Sequence, residues 1–544
     1  MEMQTDRHYA HLAWDKLASC DDTIPALLAW GADTWGTTEL LVQDEVRLTY
    51  ADAERQSAAF AAMLLGHGIG KGARVGVLLP NGVEFLVTWL AIVRIGAVAV
   101  PISTLSSAAE LARILRSSGV SLLVAIDHFQ RTRFDERLEE TLQLASDSNR
   151  IVSDVVPLLR SVWLWRGRAA WSVEIDLRPE GEVPDGVVLS AQAGVTPADE
   201  ATIIYTSGST SEPKGVRHSH GAFMRSSRRW AASMPFQRDD RFFANAPMFW
   251  VGGLVTGLLS VMHVGATLVT STSSDPAVLL DMIEGERCTL LQLWPFLTRR
   301  LVAHESFATR DFPAMRAATD LAFVPPARRP NGPNLFGLGM GMTETAGPHA
   351  IAMEEGDASP EGAMGLLSPG MEHRIVDPYM GRALPEGEHG ELFVRGDTMM
   401  LGYVGREHAD VFTPDGWFAT GDLCSLIDDH VVFHGRADTM IKTAGANVSP
   451  AEVEDALLRV GGIAEVCVIG LPDAERGQIV GAMIVPADGV VLDPGEIARH
   501  AKALLSSYKV PRRILIATTI PLTATNKADR REVRNRLESE GSTI

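Results

Sequence analysis

Four places in this sequence gather residue types suited to polar chemistry. The densest is 205–216, YTSGSTSEPKGV, where hydroxyls and glycines run into Pro-Lys-Gly. Small residues let backbone N–H groups approach phosphate oxygens, and hydroxyls add donors that follow the charge. Thr206, Ser207, Gly208, Ser209 and Thr210 are the candidates for such a cradle, and Lys214 supplies a point charge. The order is not that of a Walker loop, because G-x-x-x-x-G-K-[ST] is absent. A flexible Ser/Gly surface loop has the same composition, so the segment alone leaves both readings open. Thr343 and Glu344 set a hydroxyl beside a carboxylate just after glycines. Asp422 follows glycine, as turn aspartates commonly do. Lys527 is a lone lysine near the C-terminus, where such residues usually face solvent.

The first segment closely resembles the phosphate loop of the adenylate-forming superfamily, which comprises acyl-CoA synthetases, aryl-CoA ligases, luciferases and peptide-synthetase adenylation domains. The resemblance recurs in order along nearly the whole chain: PMFWVGGL (247–254), GMTET (341–345), GELFVRG (390–396), GWFATGD (416–422), GRADTMIKTAGANVSPAEVE (435–454), YKVPR (508–512) and PLTATNK (521–527). It implies an ATP-dependent ligase that activates a carboxylic acid as acyl-AMP and passes the acyl group to coenzyme A. By the same resemblance Thr343 contacts the α-phosphate and Glu344 holds Mg²⁺, a hard cation suited to oxygen ligands. Met340 and Gly341 border the adenine, Asp422 accepts the ribose hydroxyls, and Arg436 reaches the same ribose. Trp250, Val251, Gly252 and Gly339 fall in the acyl pocket. Asp438 is the hinge, and Gly445 lies on the face that admits the thiol. Lys527 is the catalytic cation, bridging the substrate carboxylate and the α-phosphate while charge builds at phosphorus.

The chain departs from the family pattern at four positions. Asn526 replaces a glycine before the lysine, and Asn is the least costly substitute if φ there is positive. Ser211 replaces a phosphate-loop glycine, Met340 stands where an aromatic often packs on adenine, and Trp250 stands where many relatives carry His. None removes an acid, base or metal ligand. YKVPR and the lid look like those of stand-alone acyl-CoA synthetases. The pocket segment lacks the Asp that peptide-synthetase domains use for an amino group. Coenzyme A is therefore favoured as acceptor over a carrier protein, and a non-catalytic nucleotide or acyl sensor is the reading from another class. Met248, Phe249, Trp250, Val251 and LLQLWPF (290–296) suggest an apolar cavity for a fatty, alicyclic or aromatic acid, although Leu293 and Phe296 suit a core equally well.

These residues need a scaffold, and the sequence predicts one. Thr49 can cap a helix over 50–66 whose apolar face includes Ala53, Phe60, Met63 and Leu64. Apolar strands at 75–79 and 97–101 flank a helix at 84–95, and further strands are expected at 119–125, 201–205, 266–270 and 289–293. Helices alternating with short apolar strands indicate a parallel α/β sheet. After residue 365 the texture turns to short strands, and from 440 a compact unit carries helices at 450–459 and 494–506 around a strand at 464–469. The expected class is α/β: a large N-terminal domain (1–437) of parallel α/β subdomains plus a small β-rich subdomain, with a small mobile C-terminal α+β lid (438–544).

At 544 residues more than one domain is expected, and 46% hydrophobic with 22% charged residues is the balance of a globular protein. The net charge of −19 excludes a general nucleic-acid binder, though not a locally held phosphate. Cys20, Cys288, Cys424 and Cys467 form no C-x-x-C pair, which suits reduced thiols rather than a zinc or disulfide framework. No signal peptide or transmembrane segment is read, so a cytoplasmic protein is expected. Its partners would be small molecules, and the resemblance leaves room for a homodimer.

Overall fold

The computed structural model describes residues 17, 19–142, 151–175, 177, 184–206, 213–329, 339–351, 360, 362–378, 380–436, 439, 441–443, 446–448, 450–473, 476–505, 509–523 and 527–543. The chain divides into two compact units, one of 1–359, 364–372 and 395–417, the other of 360–363, 373–394 and 418–544.

The first unit is built on two sheets of α/β character. In the larger, strands Val98–Pro101, Arg74–Leu78, Leu122–Ala125 and Ser161–Leu164 run parallel, as the alternation predicts. Val98–Pro101 and Leu122–Ala125 are buried at every position, the burial expected when helices cover both faces. Glu200–Thr206 joins Val98–Pro101 in parallel and then turns back antiparallel as Lys214–Ser219. The short strand Gly402–Tyr403 pairs antiparallel with Lys214–Ser219 at the sheet edge. The second sheet aligns Glu39–Gln43, Thr267–Thr270, Arg241–Ala244 and Leu290–Gln292 in parallel.

The helix Tyr50–Gly66 starts where Thr49 accepts a hydrogen bond from the Asp52 N–H, and it buries Ala53, Phe60 and Leu64. The next helix, Val83–Arg94, is buried along nearly its whole length. Arg94, the charge that interrupts the apolar stretch, is itself buried, and its Nη1 donates to Glu54 Oε1 and Gln192 Oε1 at 2.7 Å each. Pairing of this kind is what makes a buried guanidinium tolerable.

In the second unit the strand Gly390–Gly396, as far as Val394, pairs antiparallel with Phe418–Ile427, which pairs with His430–Arg436, and these form the expected β-rich part. A further sheet packs with helices Pro450–Leu458 and Pro494–Leu504 around Ile441, Val453, Leu457, Ile497 and Ile514, and with helix Arg530–Glu540 around Ile469, Met483, Val533 and Leu537. The strand expected at 464–469 is one arm of a long hairpin, Ile463–Asp473 with Gly477–Pro486. Among the described residues no helix is long and apolar enough to cross a membrane.

Candidate active site

Thr206 and Lys214 are register partners in the antiparallel pair Glu200–Thr206 and Lys214–Ser219. The connection between them is therefore clamped at its base. Ser207, Gly208, Ser209, Thr210 and Ser211 lie outside the described residues. Next to Lys214, a side chain on Gly215 would begin 2.9 Å from the Tyr205 ring and from Val404 Cγ2 and would have to displace them. The Val404 N–H donates to Gly215 O (2.8 Å) and the Leu401 N–H to Arg217 O (2.8 Å), tying the 401–404 segment to the same strand.

Thr343 and Glu344 sit on the tight turn of the hairpin Gly339–Met342 and Gly347–Ile351. The turn is held from inside by buried Thr345, whose Oγ1 donates to Gly347 O (2.6 Å). Ala346 follows in the left-handed region at φ 56°. A non-glycine residue there costs about 1–2 kcal/mol, strain of a kind that collects at functional sites. Gly341 permits the close approach of the arms, since a Cβ would lie 2.5 Å from Gly347 O. Glu344 is buried, and its Oε1 accepts a hydrogen bond from the Tyr403 hydroxyl (2.7 Å). The Glu344 backbone carbonyl accepts from Met400 N–H (2.8 Å). The Lys214 Nζ lies 5.6 Å from the centre of the same Tyr403 ring. The structure thus brings Thr206, Lys214, Glu344 and, unexpectedly, Tyr403 into one constellation. Tyr403 carries no sequence signal beyond a Gly-Tyr pair.

Glu344 fits a divalent cation. Its second oxygen has no protein partner among the described residues, and no cluster of three or more His, Cys, Asp or Glu side chains competes for a metal there. Mg²⁺ is commonly held by one or two carboxylates plus substrate phosphates, and a lone carboxylate of this kind meets that need.

The acyl-pocket candidates gather around the segment after Pro247. Met248 N–H donates to Asn81 Oδ1 (2.7 Å), and Asn81 Nδ2 donates to Ala246 O (2.9 Å), which fixes the approach. Met248, Phe249 and Val251 are buried, whereas Trp250 is half-buried with its ring edge-on to Phe249 at 5.3 Å. The chain then forms a π-helix, Gly252–Leu259. Such wide turns are rare and frequent at functional sites. A Cβ on Gly252 would meet nothing within 4 Å, whereas one on Gly253 would lie 2.3 Å from Pro247 O. Gly252 therefore faces open space and Gly253 faces packed backbone. Gly339 and Met340 lie on the hairpin strand that leads to Thr343, with Met340 buried.

In the second unit Asp422 and Arg436 are register partners on neighbouring strands. The Arg436 Nη1 donates to Asp422 Oδ1 at 2.9 Å, and Asp422 is buried. Lys527 is exposed at the foot of a closed loop, where the Thr523 N–H donates to the Lys527 carbonyl (2.7 Å). It makes no ion pair among the described residues. Asp438, Gly445 and Asn526 lie outside the described residues.

The AMP-binding enzyme family model matches residues 28–404, and the AMP-binding enzyme C-terminal domain matches 452–527. The feruloyl-CoA synthase of Amycolatopsis sp is 31% identical over 498 residues, 90% of this chain and 94% of that protein. A long-chain-fatty-acid–CoA ligase of Mycobacterium tuberculosis is 30% identical over 490 residues, 89% of this chain and 92% of its own. Among solved structures, an anthranilate CoA ligase in complex with anthranoyl-AMP superimposes with a TM-score of 0.78 at 24% identity, covering 97% of this chain and 99% of that one.

Proposed function

The chain belongs to the AMP-binding enzyme family and is an acyl-CoA synthetase, and from that premise we propose that it activates a hydrophobic carboxylic acid, fatty, alicyclic or aromatic. The single observation that carries the reading is the grouping of Lys214, Glu344 and Tyr403 around the turn that bears Thr343. Buried Met248, Phe249 and Val251 beside the open face of Gly252 support an apolar acid. Both co-substrates, ATP and coenzyme A, are abundant in the cytoplasm, where we place the reaction.

In the first step the carboxylate oxygen attacks the α-phosphorus of ATP, the bond to the β-phosphate oxygen breaks, and pyrophosphate leaves. Thr206 and Lys214, with the hydroxyls and N–H groups of the intervening loop, hold the phosphates. The Thr343 hydroxyl donates to the α-phosphate. Mg²⁺, held at Glu344, would neutralise phosphate charge as the leaving group departs. Asp422 accepts from the ribose hydroxyls, and Arg436, hydrogen-bonded to Asp422, reaches the same ribose. Met340 and Gly341 border the adenine. Lys527 brings its ammonium to the carboxylate and the α-phosphate. We set the functional boundary at Asp438, so that residues 438–544 turn as a lid and bring the Gly445 segment into play. Thiolate attack on the acyl carbonyl then forms the thioester and releases AMP.

The experiment is pyrophosphate release across a panel of acids, with and without coenzyme A. An acid that releases pyrophosphate and forms its thioester only when coenzyme A is added supports the reading. Adenylation with no thioester formed would shift the acceptor to a carrier protein, and no pyrophosphate with any acid would favour a sensor.

A further inference from the structure

Tyr403 links the two charged groups of the site. Its ring and hydroxyl are buried, and its strand is held by backbone hydrogen bonds on both sides: Leu401 to Arg217, Val404 to Gly215 and Met400 to Glu344. Gly402 allows the strand to enter at φ 129°, a conformation that side chains rarely adopt. The phenol therefore has little freedom in where it points. Its O–H donates to Glu344 Oε1 at 2.7 Å, while the Lys214 Nζ lies 5.6 Å from the ring centre, within cation–π range. The Arg406 guanidinium also lies over this ring, at 5.8 Å.

We propose that Tyr403 is a positioning residue: its hydroxyl fixes the Glu344 carboxylate for the metal, and its ring fixes Lys214 for the phosphates. The inference rests on the reading of Glu344 as the metal carboxylate. Without the hydroxyl, Glu344 can rotate about its side-chain torsions and must find another donor for Oε1 in a buried setting. With the hydroxyl in place, one oxygen is committed and the other is presented in a single orientation. Hydrogen-bond partners behind metal-binding carboxylates typically matter by about 10–100-fold in affinity or activity. Because one aromatic side chain serves both charges, the alignment of the metal carboxylate and the phosphate lysine is set by one rigid group.

The test is ATP binding by calorimetry on the full chain, without acid, in Mg²⁺ and in EDTA. Pyrophosphate release with the preferred acid is measured in parallel. Tyr403→Phe keeps the ring and loses the hydroxyl. It should remove most of the affinity that Mg²⁺ adds, leave ATP binding in EDTA within about two- to three-fold, and raise the Mg²⁺ needed for half-maximal release about ten-fold or more. Tyr403→Leu should weaken ATP binding in EDTA as well, because Lys214 loses its platform. In a Glu344→Gln background the added Tyr403→Phe change should alter Mg²⁺-dependent binding by less than about two-fold, since distinct effects on one group do not add. An unchanged Mg²⁺ dependence in Tyr403→Phe, or the same loss in both backgrounds, overturns the proposal. Wild-type Mg²⁺ dependence in Glu344→Gln alone would instead overturn the reading of Glu344, and the two failures are distinguishable.

Discussion

Neighbouring glycines on one helix should respond to the same substitution in opposite ways. A Cβ on Gly252 meets nothing within 4 Å, so Gly252→Ala places its methyl in open space. Replacing a helical glycine with alanine also removes a backbone-entropy cost of roughly 0.5–1 kcal/mol, so the variant should be as stable as the parent or slightly more so. If the space beside Trp250 receives the acid, the methyl displaces about one methylene of substrate. A methylene in an apolar pocket is worth roughly 1–3 kcal/mol, so kcat/KM for bulky or long acids should fall about ten-fold or more relative to short ones. Gly252→Val should extend the trend. At Gly253 the added Cβ would sit 2.3 Å from the Pro247 carbonyl oxygen, which is backbone and cannot swing aside. Overpacking of that kind costs typically 1–3 kcal/mol, so Gly253→Ala should lower Tm and reduce kcat/KM alike for every acid. The assay is a chain-length and ring-size series at saturating ATP and coenzyme A, with thermal unfolding of each variant. A uniform fall across acids in Gly252→Ala, with Tm unchanged, would refute the assignment of that space to the acyl group.

Lys527→Ala should reduce acid-dependent pyrophosphate exchange about 10²–10³-fold or more, yet leave thioester formation from supplied acyl-AMP largely intact; wild-type exchange would remove the lysine from the mechanism. Asp438→Pro, which fixes φ, should depress thioester formation far more than adenylation, and equal losses in a folded protein would argue against a hinge. Burial pushes His218 and His263 down to about 3 and His220 and His349 down to about 4. Their stabilising contribution is present above their unfolded value near 6.5 and is lost as pH falls from there toward 4 and 3, because the unfolded chain binds the protons first. Unfolding free energy should drop by about 1.4 kcal/mol per pH unit for each such histidine, and His218→Phe should reduce that slope by one proton.

Local signals made much of the scaffold legible. Thr49 and the spacing of Ala53, Phe60 and Leu64 specify the helix Tyr50–Gly66, and the apolar runs within 97–101 and 119–125, bounded by glycines, read as the buried strands they form. What escaped the reading is set by partners distant in sequence or by sparse signals. Tyr403 means little until its strand pairs with Lys214–Ser219 and its hydroxyl meets Glu344, contacts that no spacing announces. Ala346 occupies a left-handed position where glycine or asparagine would have signalled the turn. The π-helix Gly252–Leu259 has the composition of any buried helix, since a widened turn changes hydrogen-bond partners and not residue types. The helix Arg530–Glu540 buries only Val533 and Leu537, too thin a stripe to stand out among its charges.

An acidic chain that handles a polyanion must solve a problem of sign at the site itself. The Debye length is about 8 Å at physiological ionic strength, so most of the 68 acidic residues are screened from a bound nucleotide. Glu344 is different if it faces the phosphates. A carboxylate 4 Å from one phosphate charge is repelled by roughly 4 kcal/mol at an effective dielectric of 20. Glu344 has no Lys or Arg ion-pair partner among the described residues, and its one hydrogen-bonded oxygen takes a neutral hydroxyl at 2.7 Å. Its charge is therefore left for something else to neutralise, and a divalent cation turns the repulsion into attraction. Asp422 is arranged the other way. Arg436 stands 2.9 Å from it, so its charge is already balanced and it suits a neutral partner such as a ribose. The two carboxylates thus differ in what the protein supplies to each. That difference, more than the net charge, supports the roles proposed above for Glu344 at the metal and Asp422 at the sugar.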